Sequence, residues 1–192
     1  MRLVVSLLLI LLFALPGAAR AEMLEGEALW NALRQGGHVV LFRHAIAPGG
    51  GDPANFRLGD CSTQRTLSEE GRQQARAIGA AFRQREVPIS RVLASRWCRS
   101  TETAELAFGN VEPFPAIDSF FQDRARGPGQ TEAARVRIQT FEGPGNLMMV
   151  SHQVNITALT DIFPASGEGV VLRPLPDNPK GFAIVGRLGA WN

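Results

Sequence analysis

The sequence predicts an α/β fold: a three-layer sandwich with a mostly parallel central sheet and helices on both faces. Three observations predict it. Two short apolar runs, "HVVLF" (His38 to Phe42) and "NLMMVS" (Asn146 to Ser151), read as strands covered on both sides. The stretch "SEEGRQQARAIGAAFRQRE" from Ser68 carries Ala75, Ile78, Ala81 and Phe82 at helical spacing. Strand and helix candidates then alternate along the chain, which is the pattern of layered α/β domains.

The elements follow in order. Met1-Arg2, the apolar run Leu3 to Leu15, the break at Pro16-Gly17 and the small-x-small triplet Ala19-Arg20-Ala21 read as a secretory signal peptide over residues 1–21. The apolar run is shorter than the ~20 residues of a membrane span, which weighs against a retained anchor. Leu24 to Gln35 reads as a short helix ended by Gly36-Gly37, and His38 to Phe42 as the first strand. Ala45 to Gln64 is loop, rich in Gly, Pro, Asp and Asn. Ser68 is a good N-cap, with Glu69 and Glu70 placed to favour the helix start. Arg91 to Ser95 reads as a strand, Arg99 to Phe108 as a helix, Phe114 to Asp118 as a further strand and Thr131 to Phe141 as a weak helix. Asn146 to Ser151 is a strongly apolar strand running straight into His152, and Gln153 to Ile162 is a helix. Val170 to Arg173 and Phe182 to Gly186 are the last strands.

Charge narrows the partners. The 192-residue chain has 20 Lys and Arg against 18 Asp and Glu; loss of Arg2 and Arg20 with the leader makes the two counts equal. The apparent basicity is therefore no argument for nucleic acid or membrane binding. No Cys-x-x-Cys or His-x-x-x-His spacing and no Gly-rich P-loop occurs, so neither zinc nor another cofactor is expected. The two cysteines, Cys61 and Cys98, suit a disulfide in an exported chain, with two buried thiols as the alternative. Closing that long loop stabilises by roughly 3–4 kcal/mol in the chain-entropy account.

Ligands of α/β sheets sit beyond the carboxyl ends of the strands. Arg43-His44 and His152 stand at such ends, and the helix that carries Arg99 follows a strand, so three strand ends can bring two arginines and two histidines together. That set suits a dianion. Arginine presents a planar fork that matches phosphoryl oxygens. An imidazole whose tautomer is fixed from behind attacks phosphorus with its free nitrogen, while the other cations hold the oxygens as charge develops. Arg65 is expected at the surface, with contact to substrate from its loop as the alternative, and His38, at the far end of its strand, is expected to be structural.

Four blocks, "LFRHA", "TLSEEGRQQA", "SRWCRSTETA" and "VSHQVNITAL", in this order, resemble the histidine phosphatase superfamily, the phosphoglycerate mutase-like group with the Arg-His-Gly signature. The resemblance implies one histidine phosphatase domain over residues 22–192. It implies His44 as the nucleophile that becomes phosphohistidine, and Arg43, Arg99 and His152 as phosphate-binding residues. It also implies a carboxylic acid that protonates the leaving group. Asp118 stands nearest the expected place, with Asp123 and Glu168 as other candidates, and a substrate with a good leaving group needs no acid at all. Ala45, Arg96 and Gln153 depart from the usual residues at their positions. The expected protein is a periplasmic or secreted, metal-independent phosphatase, monomeric or weakly dimeric, without membrane insertion after cleavage. Its expected substrate is a small or envelope-linked phosphomonoester. A phosphohistidine protein phosphatase and a non-catalytic phospho-ligand binder are the alternatives.

Overall fold

The structure, a computed structural model, describes residues 23–189 and 191. The leader expected over residues 1–21 lies outside the described residues. The elements run α1 (Gly26–Gln35), β1 (Val39–Arg43), α2 (Glu69–Gln84), β2 (Ile89–Ala94), α3 (Cys98–Phe108), β3 (Glu112–Pro113), α4 (Gly127–Gln139), β4 (Asn146–Ser151), α5 (Gln153–Thr160), β5 (Gly169–Pro174) and β6 (Phe182–Leu188).

The strands form one six-stranded sheet in the order β3-β2-β4-β1-β5-β6. β3, β2, β4 and β1 pair in parallel, and β5 runs antiparallel to β1 and to β6. The sheet is therefore mostly parallel. Alternate side chains of β1 explain why it reads as an unbroken apolar run. Val40 and Phe42 pack with Leu29 and Leu33 of α1, Ile78 and Phe82 of α2, and Ala104 and Ala107 of α3. Val39 and Leu41 pack on the opposite face with Ala134 and Ile138 of α4 and Ile156 and Leu159 of α5. The strand period of two thus sends successive residues into two cores, each roofed by helices.

Local sequence sets the boundaries. The Ser68 hydroxyl accepts the Gly71 N–H at 3.0 Å and caps α2. Gly79 lets α2 and α3 touch through backbone, since a Cβ there would sit 2.1 Å from the Ala107 carbonyl oxygen. Gly36, at φ 76°, ends α1 in a conformation open to glycine. His38 is buried, and its Nδ1–H donates to the Gly36 carbonyl at 2.8 Å, a structural role.

Two elements differ from the sequence reading. The strand expected over Phe114 to Asp118 is absent: pairing stops after the two residues of β3, and Pro115–Ile117 forms a 3-10 turn begun by the proline. Proline lacks the ladder donor and presets a helical φ, so it ends an edge strand and starts a turn. Helix α4 begins at Gly127 rather than Thr131, because Pro128 is accepted in a first turn, where its missing N–H has no helical partner to lose. Among the described residues, no helix is long and apolar enough to cross a membrane.

Candidate active site

β1 and β4 are neighbours, with Arg43 paired in register to Ser151. His44 and His152 are the next residues along, so the two rings leave adjacent strand ends together. Their centroids lie 5.4 Å apart. β2 lies on the other side of β4 and leads into α3, whose first turn carries Arg99. Arg43, His44, Arg99 and His152 line one pocket of about 480 Å³ at these strand ends. The N-terminus of α5 opens there without a side-chain cap, and the unpaired N–H groups of its first turn add positive potential.

His44 is 2% exposed, and its Nδ1 lies 2.8 Å from the Ala45 carbonyl oxygen. A carbonyl only accepts, so Nδ1 carries the proton and Nε2 carries the lone pair. Nε2 has no partner among the described residues. Burial, together with the charges of Arg99, Arg43 and Arg65, outweighs the Ala45 contact and holds the His44 pKa down at about 3. His152 is arranged the other way round. Its Nε2 meets the Ser95 hydroxyl at 2.8 Å and the Ser100 hydroxyl at 3.4 Å, leaving Nδ1 without a partner among the described residues. Burial first, then His44 and the same arginines, push its pKa well below 6.5.

The guanidiniums are only partly satisfied. Arg43 Nη1 donates to the Pro164 carbonyl at 3.0 Å. Arg65 donates through Nη1 to the carbonyls of Ala47 and Gly49. Arg99, 3% exposed, donates through Nη1 and Nη2 to Asp52. In all three the Nε is buried without a hydrogen-bond partner. Three such donors around one pocket, with both rings neutral, make a binding place for an anion that brings several oxygen acceptors.

Asp118 does not join this set. It is fully buried and does not line the pocket. Oδ1 accepts the Arg96 backbone N–H at 2.8 Å, and Oδ2 accepts Arg96 Nε at 2.8 Å and Nη2 at 2.6 Å. The Ser95 hydroxyl also donates to Oδ1, at 3.3 Å. A carboxylate so bound braces the turn behind His152 and is not free to protonate a leaving group, which corrects the expectation for this residue. Asp123 is exposed and outside the pocket lining, and Glu168 pairs with Arg187 away from it.

Asp52 and Arg124, which no motif marks in the sequence, line the pocket together with Arg65. Arg65, expected at the surface, turns inward because two loop carbonyls hold it. Asp52 reaches the pocket because Trp97, Cys98 and Arg99 hold the loop after β1. Trp97 stacks on Phe56 at 5.0 Å and donates Nε1–H to Asp52 at 2.8 Å. Cys98 forms the disulfide with Cys61, and its N–H donates to Gln64. Arg99 grips Asp52. That disulfide was the available signal, since it ties an acidic loop to the residue beside Arg99.

A family model described as histidine phosphatase superfamily (branch 1) matches residues 39–132, from β1 into α4. Over these residues the chain matches the histidine phosphatase superfamily. Several solved histidine phosphatase-like structures have the same fold. The protein histidine phosphatase SixA complexed with tungstate is 18% identical, with a TM-score of 0.54 over 79% of this chain and 96% of that one. The alpha-ribazole phosphatase from Shigella flexneri is 16% identical, with a TM-score of 0.54 over 77% and 94%. A phosphoserine phosphatase mutant from Entamoeba histolytica, in complex with phosphoserine, is 12% identical, with a TM-score of 0.53 over 78% and 95%. At these identities the likeness shows the fold. No curated protein matches the chain.

Two neutral buried histidines make this protein acid-sensitive. Unfolding lets each ring take a proton at its ordinary value near 6.5, whereas the folded rings refuse it until far lower pH. The unfolded state therefore binds more protons below about pH 6.5, and stability falls as pH drops below that value, by about 1.4 kcal/mol per pH unit for each ring that stays neutral in the fold. Thermal melts from pH 7 to 4.5 should show a falling midpoint, and His44→Asn should show a shallower fall. Equal slopes in both proteins would contradict this account.

Proposed function

We propose that this chain is an exported phosphatase that hydrolyses a phosphomonoester through a phosphohistidine on His44. The carrying observation is the tautomer of His44: Nδ1–H is bound by the Ala45 carbonyl, so the lone pair of Nε2 is committed to the pocket. Nε2 attacks phosphorus, and the guanidiniums of Arg43 and Arg99, beside the His152 ring, take up the charge on the phosphoryl oxygens. Water then releases phosphate from the ring. The superfamily match supports this chemistry, as do the activities named for the similar structures.

Export is supported by the apolar leader over residues 1–21 and by the Cys61–Cys98 disulfide, a bond that persists outside reducing cytoplasm. The substrate we favour is a small or envelope-linked phosphomonoester. The pocket suits such a molecule: beyond the arginines its rim carries the exposed rings of Phe121 and Phe163 and the side chains of Val154 and Ala158. We propose turnover without a metal ion, because the guanidiniums of Arg43 and Arg99 already supply positive charge to the phosphoryl oxygens. Purified mature protein should hydrolyse p-nitrophenyl phosphate equally with and without a chelator, and should act on a member of a panel of envelope phosphoesters. Tight binding of inorganic phosphate with no turnover of any ester would instead make it a phospho-ligand binder.

A further inference from the structure

The pocket contains one carboxylate among its described lining residues, and it lies on the loop after β1 rather than behind β2. Asp52 follows Gly49-Gly50-Gly51, and its side chain is only 4% exposed. Oδ1 accepts Arg99 Nη1 at 2.6 Å; Oδ2 accepts Trp97 Nε1 at 2.8 Å and Arg99 Nη2 at 3.2 Å. Arg99 keeps its Nε unpartnered and buried. One guanidinium can therefore hold Asp52 on its outer nitrogens and a phosphoryl oxygen on its inner one.

We propose that Asp52 is the proton donor to the leaving oxygen. The proposal rests on the phosphatase reading given above and adds the residue that completes its acid chemistry. In the free protein, burial works to raise the Asp52 carboxyl, but Arg99 and the Trp97 N–H outweigh it and keep the group ionised. A phosphoryl dianion bound to the same Arg99 changes this balance. Two anions then share one cation in a buried place, and a proton on Asp52 relieves their repulsion. Substrate binding thus loads the acid. The left-handed backbone at Gly49 (φ 88°) and Gly51 (φ 71°) lets the loop turn the carboxyl from Arg99 towards the leaving group, while the disulfide at Cys61 keeps the loop at the pocket mouth.

The steps balance. The Nε2 lone pair of His44 forms the P–N bond as the ester P–O bond breaks, and the Asp52 carboxyl proton passes to the departing oxygen. In the second half, Asp52 carboxylate takes a proton from water as the water oxygen bonds to phosphorus. The P–N bond breaks, its electron pair returns to Nε2, and inorganic phosphate leaves with Asp52 protonated again.

The charged and titratable groups around Asp52 are Arg43, Arg65, Arg99, Arg124, His44 and His152, all lining the same pocket. Asp52→Asn should be assayed on p-nitrophenyl phosphate and on glycerol 2-phosphate, whose alkoxide leaves poorly unprotonated. The expected loss in kcat/KM is about 10²–10³-fold on glycerol phosphate and less than about tenfold on the nitrophenyl ester. Equal loss on both would reduce Asp52 to a residue that positions Arg99 and would overturn the proposal. So would a gain in rate with tighter phosphate binding, the mark of a carboxylate that merely blocks Arg99. Binding of inorganic phosphate to the variant, by calorimetry, reports whether its pocket is intact. If the variant does not fold, the wild-type pH profile decides. Turnover of glycerol phosphate should decline at high pH while the nitrophenyl ester is still hydrolysed, and parallel profiles would reject the role. Wild-type protein inactive on both esters would overturn the phosphatase reading, and this proposal with it; active protein with an unchanged ratio would overturn Asp52 alone.

Discussion

Replacing His44 with alanine should lower turnover of p-nitrophenyl phosphate by about 10⁴-fold or more, with the protein still folded. Removing a nucleophile leaves only the rate supplied by binding and charge stabilisation, and losses of that size are usual. Alanine leaves the Ala45 carbonyl without its Nδ1–H donor, a cost of about 1–3 kcal/mol, and circular dichroism should show the fold retained. A rapid alkaline quench of wild-type protein with substrate should capture a phosphoryl mass increment on the peptide containing Phe42 to Ala45. The increment should disappear in His44→Ala, and acid should release it, because P–N bonds are acid-labile. A variant that keeps a large share of wild-type turnover would show that another group attacks phosphorus.

Replacing Arg99 with alanine should affect both function and stability. The lost fork removes a charged donor aimed at developing oxygen charge, with an expected fall of about 10³-fold in kcat/KM. The change also leaves Asp52 buried without its cation, since the pair is 3% and 4% exposed. Breaking a buried pair from one side destabilises by about 3–5 kcal/mol. Calorimetric melting of the Arg99→Ala/Asp52→Asn double variant separates the two effects: stability should return in large part, and turnover should not. Arg99→Lys should fall between, because a point charge replaces a planar fork. Unaltered phosphate affinity in Arg99→Ala would place the anion elsewhere in the pocket.

Which parts of this molecule can be read from its sequence depends on what fixes them. Residues in β1 and β4 pack on both sides, so their apolar runs mark them plainly. Residues 43, 44 and 152 follow from those strands, because a sheet delivers whatever stands one step past its edge. The turn at Pro115 was harder to see. Phe114 and Ile117 are apolar and pack in the core, yet the proline between them forbids continued pairing. Asp118 misled for a related reason. Its position in the chain fits an acid, and only three-dimensional contact reveals that the backbone and side chain of Arg96 occupy both oxygens. Asp52 was illegible because loops carry no periodicity. Its place is set by the residues 97–99, which stack on, cross-link and ion-pair with the loop from the far side of the pocket.

The register of β1 against β4 also acts as a ruler. Adjacent strands stand ~4.8 Å apart, as main-chain geometry dictates, and the two rings carried just beyond them are 5.4 Å apart at their centres. The span available to a tetrahedral group between the imidazoles is thus inherited from the peptide backbone and owes nothing to loop composition. Insertions or substitutions among the rim residues can retune which molecule is admitted without recalibrating the gap where bonds change. Selectivity and reactivity are therefore separately adjustable in this scaffold.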